Sequence, residues 1–506
     1  MQLDIEKHNK FGRLNLWLVF GLYVFFISLI QFFHEPWGDE LQTWALIKNS
    51  SSFFNLISNC SLDGHPPLWY VIVYLFSKLT HSFHVIQFVA LLMSSVVAFL
   101  FVFYSRLPLL VKSLTLVGYY FVFEYSLFSR NYFIVVLISF LICINLTSNY
   151  YKYKYLAYYV LLFLLCHTHF FALFLAFTFH LYFLKLHFDE GAGKQFFLKH
   201  TFIAIGILLA FIGMTLFVST IAYGSTGFLG TWDSGRLTLA AQMPLRAFLP
   251  IPAWWEYHFW NTNAVWNMAE NNIFLKWIAI FISAGILIMV FFIFAKTRRT
   301  LIFFGINTSL MLLLASLFPI YNTRYVGFLY IGFLVSLWLN SAAIFSDATR
   351  RKMVYAIIIF QIPGGLLSVS KEISLPFSQI NETAFLIEEV PKDEALICDF
   401  WALLYLNAVN HKSYYCVESK KKQKFLLGDK DWNKNLSDKH RYTSGIEYYL
   451  KKNQREEVYF VCNFSPLFLA QYDSFFNRRF YVKLVAAKVG AIERFSDLYL
   501  YHIRKR

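Results

Sequence analysis

The chain has 506 residues, of which 58% are hydrophobic, 20% aromatic and only 15% charged, and its mean hydropathy is +0.50. Water-soluble domains carry roughly a quarter charged residues, so most of this chain is excluded from being one. A formal net charge of +15 does not point to nucleic acid, because the basic residues lie between apolar runs instead of gathering on a polar surface; no nucleic-acid partner is expected.

A spanning helix needs about 20 mostly apolar residues. Such runs fall near 14–33, 85–104, 107–123, 131–147, 201–219, 273–295, 300–318, 325–345 and 353–370, and the run 155–188 is long enough for two shorter helices. The first run has a basic flank and no small-residue cleavage site behind it, so it reads as an anchor. Lys7, Lys10 and Arg13 precede it. Alternate loops then carry Arg106 and Lys112, Lys152 and Lys154, Lys185, Lys194 and Lys199, Lys296, Arg298 and Arg299, and Arg350 to Lys352. Cytoplasmic loops are rich in Lys and Arg, which sets the N-terminus in the cytoplasm and, with an odd number of spans, the tail outside.

From residue 371 the composition changes to mixed charge, with strand-like runs at Ala395–Asp399, Glu457–Cys462, Phe480–Ala486 and Leu498–Ile503 and a lysine run at Lys420–Lys422. The expected fold is therefore an all-α polytopic membrane protein of about 11 transmembrane helices, residues 1–370, followed by a small C-terminal extracytoplasmic α/β domain, residues 371–506. The six cysteines (Cys60, Cys143, Cys166, Cys398, Cys416 and Cys462) show no metal-ligand spacing, and the last three leave room for one disulfide in the polar tail. No inverted repeat of the kind that marks many transporters is present.

Five segments carry the polar chemistry. Immediately after the first span, His34-Glu35-Pro36-Trp37-Gly38-Asp39-Glu40 brings three carboxylates together among Trp37, Trp44, Phe53 and Phe54. Low-dielectric surroundings tune a carboxylate as a general base or a metal ligand, and acids at a helix start also serve as plain caps. Next, Asp63-Gly64-His65-Pro66-Pro67-Leu68-Trp69-Tyr70 reads as a loop-to-helix junction that fixes His65 near those acids. Phe123-Glu124 through Arg130-Asn131-Tyr132 sets an acid and an arginine at the lip of two apolar helices, where they either pair with each other or serve a ligand such as phosphate. His167-Thr168-His169 interrupts the run 155–188, and Phe318 to Tyr325, with Arg324, ends another span. The outer loop 220–272 adds Trp254, Trp255, Trp260 and Trp266, which suit a membrane interface and are equally well passive anchors. All five polar segments fall on one side of the expected topology.

Taken together and in order, these motifs resemble the GT-C membrane glycosyltransferases, particularly the group similar to protein O-mannosyltransferases and bacterial aminoarabinose transferase, over roughly residues 14–345. The resemblance implies inverting transfer of a sugar from a polyprenyl-phosphate carrier to a protein, lipid or glycan acceptor at the outer membrane face. It implies Asp39 as the general base with Glu40 beside it, and a donor site that includes Arg130, Tyr132, His65, His169 and Arg324. Many relatives carry Tyr-Ser-x-Glu-x-Arg-x-Tyr, whereas this chain has Phe128 at the Glu position, so Glu124 one turn earlier is the candidate second acid. The resemblance fixes no cofactor, and the absence of the usual second acid leaves a divalent metal as an open alternative. A multi-span transporter or lipid flippase is the alternative reading.

Overall fold

The structure, a computed structural model, describes residues 10–60, 65–80, 82–222, 234–317, 322–425, 440–473 and 475–506. Backbone polar groups in a bilayer must be satisfied within the segment that crosses it, and the apolar runs accordingly fold as helices. Six of the described helices are long and apolar enough to cross a membrane: Gly12–Phe33, His84–Tyr104, Lys194–Gly213, Ile273–Phe294, Arg298–Leu317 and Ala348–Ser374. Shorter apolar helices cover Tyr132–Thr147, Lys154–Cys166 and Thr323–Leu339. The chain is thus an integral membrane protein with a helical core and a sheet in its C-terminal region.

In chain order the elements that position the polar segments are α1 (Lys10–Phe33), α2 (Gly38–Lys48), α3 (Phe53–Cys60), α4 (Leu68–Phe76), α5 (His84–Tyr104) and α6 (Leu109–Leu116). After α6 the chain tightens at Gly118 and runs through a π turn at Tyr120–Glu124, so the run 107–123 is not one regular helix. Then come α7 (Tyr132–Thr147), α8 (Lys154–Cys166), α9 (Ala172–Asp189), α10 (Lys194–Ala222) and α11 (Ser234–Phe248). The His167–His169 turn does divide the run 155–188 into two helices. After α12 (Ala264–Ala269), the bundle closes with α13 (Ile273–Phe294), α14 (Arg298–Leu317), α15 (Thr323–Leu339), α16 (Ser341–Phe345), α17 (Ala348–Ile359) and α18 (Gln361–Ser374).

Helix α15 is buried along nearly its whole length, as a helix apolar on every side must be, and packs against α7, α11 and α14. Two glycines permit close neighbours. A Cβ on Gly327 would lie 2.2 Å from the Tyr120 ring and 2.3 Å from the Tyr125 hydroxyl, and one on Gly332 would lie 2.4 Å from the Asn307 amide. Tyr125 in turn donates to the Arg324 carbonyl (2.8 Å), which ties the π turn to the first turn of α15.

Helix α18 carries the chain past residue 370 and, after α19 (Thr383–Glu388), into the sheet. Its strands are β1 (Leu396–Cys398), β2 (Tyr414–Cys416), β3 (Lys421–Gln423), β4 (Glu457–Cys462), β5 (Phe480–Lys488) and β6 (Leu498–Lys505), in the order β3-β2-β1-β4-β6-β5. β2, β1 and β4 are parallel, while β3, β6 and β5 join antiparallel. β2 and β3 were not anticipated; each is three residues, too short to show alternation. The lysine run lies partly on β3. The disulfide expected in the tail does not form: Cys398, Cys416 and Cys462 are buried free thiols, Cys398 and Cys416 being register partners on adjacent parallel strands.

The two regions are packed together. α20 (Phe400–Asn410) lies on α2, with the Trp401 ring 3.2 Å from where a Gly38 Cβ would stand. Ile492, from the β5–β6 connection, is fully buried within the apolar core of the helical bundle.

Candidate active site

The ends of α1, α8 and α18, the starts of α2, α7 and α15, and the π turn meet at one end of the bundle. The segment His34–Glu40 anchors the group. Glu40 opens α2 with its side chain fully buried and both oxygens engaged. Oε1 accepts from the Ser129 N–H, and Oε2 accepts from the Trp37 N–H (3.0 Å) and meets His34 Nε2 at 3.2 Å. His34 Nδ1 lies 2.8 Å from Glu372 of α18. Burial alone lowers the affinity of His34 for a proton, but the carboxylates of Glu40 and Glu372 reverse this and push it up to about 10. The imidazolium is thus clamped between two buried acids, one from each end of the core sequence.

Asp39 differs from its neighbour. Its side chain is 30% exposed and 3.9 Å from Arg324 Nη2. Arg130 does not take the Asp39 carboxylate; its Nη1 donates to the Asp39 carbonyl (2.7 Å) and to Thr43 Oγ1 (2.9 Å), fixing the first turn of α2.

Arg324, 7% exposed, is held in an aromatic cage. Its guanidinium carbon stands 5.0 Å from the Trp37 ring, 4.9 Å from Trp260 and 5.3 Å from Tyr325. Stacking of this kind stabilises a cation without using its N–H groups. Nε and Nη1 of Arg324 have no hydrogen-bond partner.

Around it stand further unpartnered donors. The Tyr132 hydroxyl, 1% exposed, bonds to nothing. His169, 2% exposed, packs on Tyr132 (5.6 Å), Tyr325 (5.5 Å) and His65 (5.6 Å). Its Nδ1 accepts from the Phe171 N–H (3.2 Å), so the neutral ring carries its proton on Nε2, which has no partner. Burial, reinforced by Arg130 and Arg324, lowers His169 to about 3, and the same causes, burial first, keep His65 neutral. His65 stands directly before Pro66 and Pro67, which open α4 as expected.

Glu124 does not pair with Arg130. Its Oε2 accepts from Tyr119 (2.6 Å) and from Trp260 Nε1 (3.2 Å), and its Oε1 has no partner. Phe128 fills an aromatic pocket of His34 (5.3 Å), Trp260 (4.8 Å) and Phe377 (4.9 Å). Phe53 and Phe54 do not wrap the acids; both lie on the exposed side of α3. The tryptophan loop divides: Trp254 and Trp255 are half exposed, while Trp260 and Trp266 are buried. Asp63, Gly64 and Phe318 to Tyr321 lie outside the described residues.

Asp39, Glu40, His65, Glu124, Arg130, Tyr132, His169 and Arg324, the candidate residues of the sequence, converge at this end of the bundle. Glu372, Trp260 as part of the arginine cage, and Glu493 join them without any sequence expectation. Burial keeps Glu493 partly protonated, up to about 7, with Asp39 and Arg324 among its electrostatic neighbours. No local signal marks a residue recruited from 450 positions away in sequence. Among the described residues, no group of three His, Cys, Asp or Glu side chains converges as a metal site would require.

No family model and no curated protein matches the chain. Among solved structures it is similar to the crystal structure of ArnT from Cupriavidus metallidurans bound to undecaprenyl phosphate, with 10% sequence identity and a TM-score of 0.44, the alignment covering 96% of this chain and 98% of that one.

Proposed function

We propose that this protein is a GT-C-like membrane glycosyltransferase that moves a sugar from a polyprenyl-phosphate carrier to an acceptor hydroxyl at the outer face of the membrane. The observation that carries this reading is Arg324: a buried cation caged by Trp37 and Trp260, with two nitrogens lacking partners, 3.9 Å from a partly exposed carboxylate. A cation with open donors suits a phosphate oxygen, and a carboxylate that is neither buried nor saturated suits a general base.

In the proposed step the acceptor oxygen attacks the anomeric carbon as its proton passes to Asp39. The new oxygen–carbon bond forms on the face opposite the breaking carbon–oxygen bond to phosphate, which inverts the configuration. The electron pair of the broken bond leaves on the carrier as a phosphate monoester, whose added charge Arg324 takes up, with Tyr132 and His169 Nε2 as further donors. Arg130 acts by holding the Asp39 turn. Glu40, with both oxygens occupied, serves the same turn and not the proton transfer. We propose eleven spans with the N-terminus cytoplasmic and residues 371–506 outside as a separate domain, an arrangement that would bring the site to the face at which a lipid-borne donor is presented; the lysines and arginines of alternate loops support it. A transporter would need its polar groups near the bilayer midplane, whereas here they gather at one end of the bundle.

The test is binding of undecaprenyl phosphate to the purified chain in nanodiscs, read by tryptophan fluorescence, since Trp37 and Trp260 flank the arginine. Arg324→Lys keeps the charge and loses the planar fork, so the expected result is weakened binding in the lysine variant and a greater loss in Arg324→Ala. Equal binding by all three proteins would remove the phosphate role.

A further inference from the structure

The connection between β5 and β6 is built to enter the site. Gly490, at a φ of 109° open to glycine, leaves no room for a Cβ, which would stand 2.4 Å from the Tyr257 hydroxyl. The Gly490 and Ala491 N–H groups donate to Asp497 Oδ1 (2.8 and 2.9 Å). Ile492 N–H donates to the Pro376 carbonyl (2.9 Å) and Glu493 N–H to the Phe377 carbonyl (3.1 Å). The Ala491 carbonyl meets His258 Nδ1 at 3.1 Å. Three segments, Tyr257–His258, Pro376–Phe377 and Asp497 of the same connection, therefore fix the backbone on either side of Glu493.

Its side chain is held with equal care. One oxygen, Oε2, accepts from the Phe495 N–H (2.9 Å) and the Ser496 hydroxyl (2.7 Å), and Ser496 in turn bonds to Tyr405 at 2.5 Å. The Tyr405 hydroxyl faces the Gly38 backbone, next to Asp39. Phe495 stacks on Trp401 (5.3 Å), the ring that covers Gly38. Glu493, 6% exposed, is thus coupled through Ser496 and Tyr405 to the residue before the proposed base.

We propose that Glu493, supplied by the C-terminal region, is a positioning residue of the transfer site: its carboxylate opposes Arg324 and favours release of the spent carrier phosphate over the sugar-loaded one. This rests on the reading of Arg324 as the phosphate cation. The loaded carrier is a phosphodiester with one negative charge, whereas the spent carrier is a monoester with about 1.5 to 2. A neighbouring carboxylate therefore repels the product about twice as strongly as the donor. The charged and titratable groups facing Glu493 are Asp39 on α2, Arg324 on α15 and Tyr405 on α20; on its own loop Asp497 caps Gly490 and Ala491, and Arg494 is exposed. Glu124 also faces Arg324, and Glu35, which burial raises to about 7, faces Asn381 and Glu382 instead.

The experiment compares undecaprenyl phosphate with its monomethyl ester, whose single charge does not titrate near neutrality, on the purified full chain in nanodiscs at pH 8. Glu493→Gln keeps the oxygen that accepts from Ser496 and Phe495 but loses the charge. The expected result is binding of the monoester tightened by roughly threefold to tenfold and of the diester by about the square root of that factor, so that the ratio of the two affinities changes. A merely structural role for Glu493 would move both alike. Should the glutamine variant not fold, Glu493→Ala removes the same charge and predicts the same change of ratio. Burial raises both Glu493 and Glu124 to about 7, so affinity for the methyl ester is expected to fall as pH rises through about 7 more steeply in the wild type than in Glu493→Gln. An unchanged ratio, or a wild-type curve no steeper than the variant's, overturns this inference alone. Failure of the wild type to bind either lipid overturns the function proposed above, and this inference with it.

Discussion

His34 offers a test of how the site is held. Its two ring nitrogens lie 2.8 Å from Glu372 and 3.2 Å from Glu40, and all three side chains are fully buried. Moving an imidazole from 6.5 to about 10 corresponds to ~5 kcal/mol of preference for the protonated folded site, and removing one member of a buried ionic group costs about 3–5 kcal/mol. Because the folded value lies above the unfolded one, this stabilisation is complete below pH 6.5 and is lost progressively as pH rises to about 10. His34→Gln removes the cation and leaves two acids facing each other in a dry site. The variant is expected to unfold at a lower temperature at pH 6, by an amount equivalent to ~3–5 kcal/mol, and the gap is expected to close toward pH 10. Thermal unfolding in detergent, followed by intrinsic fluorescence between pH 6 and 10, measures both. A variant within ~0.5 kcal/mol of wild type at pH 6, the size of an ordinary surface change, or one whose pH slope parallels it, would refute the clamp.

Two further expectations follow from individual contacts and a third from the charge of the loops. Gly327→Ala drives a methyl into the Tyr120 ring and Tyr125 hydroxyl; it should destabilise by about 1–3 kcal/mol and, by shifting the first turn of α15, weaken undecaprenyl phosphate binding. Because Glu124 bonds to Tyr119 and Trp260, adding Glu124→Gln to Arg130→Ala should not restore what the arginine change removes; rescue in binding assays would show that the two act as a pair. Cysteine labelling in intact cells should find Lys296→Cys and Lys421→Cys accessible from opposite sides of the membrane, and labelling from the same side would contradict the odd number of spans.

Much of the helical core was legible because a spanning helix is specified by composition over a long window, which tolerates local irregularity. The three carboxylates after α1, the double proline and the His-x-His turn were legible for the opposite reason: each breaks an apolar run where breaking is costly. What stayed hidden depends on distance in sequence. Glu372 reads as one more polar residue near the end of a helix until the fold brings it to His34. Trp260 looks like its neighbours Trp254 and Trp255, yet it alone of the three cages Arg324. Arg130 and Arg324 carry the same sequence expectation, a phosphate ligand, yet Arg130 commits Nη1 to the Asp39 carbonyl and Thr43 while Arg324 sits in an aromatic cage, and nothing in the sequence distinguishes the two settings. The short strands β2 and β3 escaped notice because three residues carry no periodicity.

In the proposed reaction Asp39 is the base in transfer from a polyprenyl-phosphate sugar. The assay incubates the purified chain with whole membranes and cell envelope from source cells lacking the gene, which hold both the lipid-linked sugar and its protein, lipid or glycan acceptor, and follows conversion of lipid-linked sugars to free polyprenyl phosphate by mass spectrometry. Wild type should release the carrier, and Asp39→Asn, which keeps the shape but cannot take a proton, should release it about 10² to 10⁴ times more slowly while binding undecaprenyl phosphate normally. Carrier release at the wild-type rate by Asp39→Asn would remove Asp39 as the base, and none by the wild type would remove the transfer reaction itself.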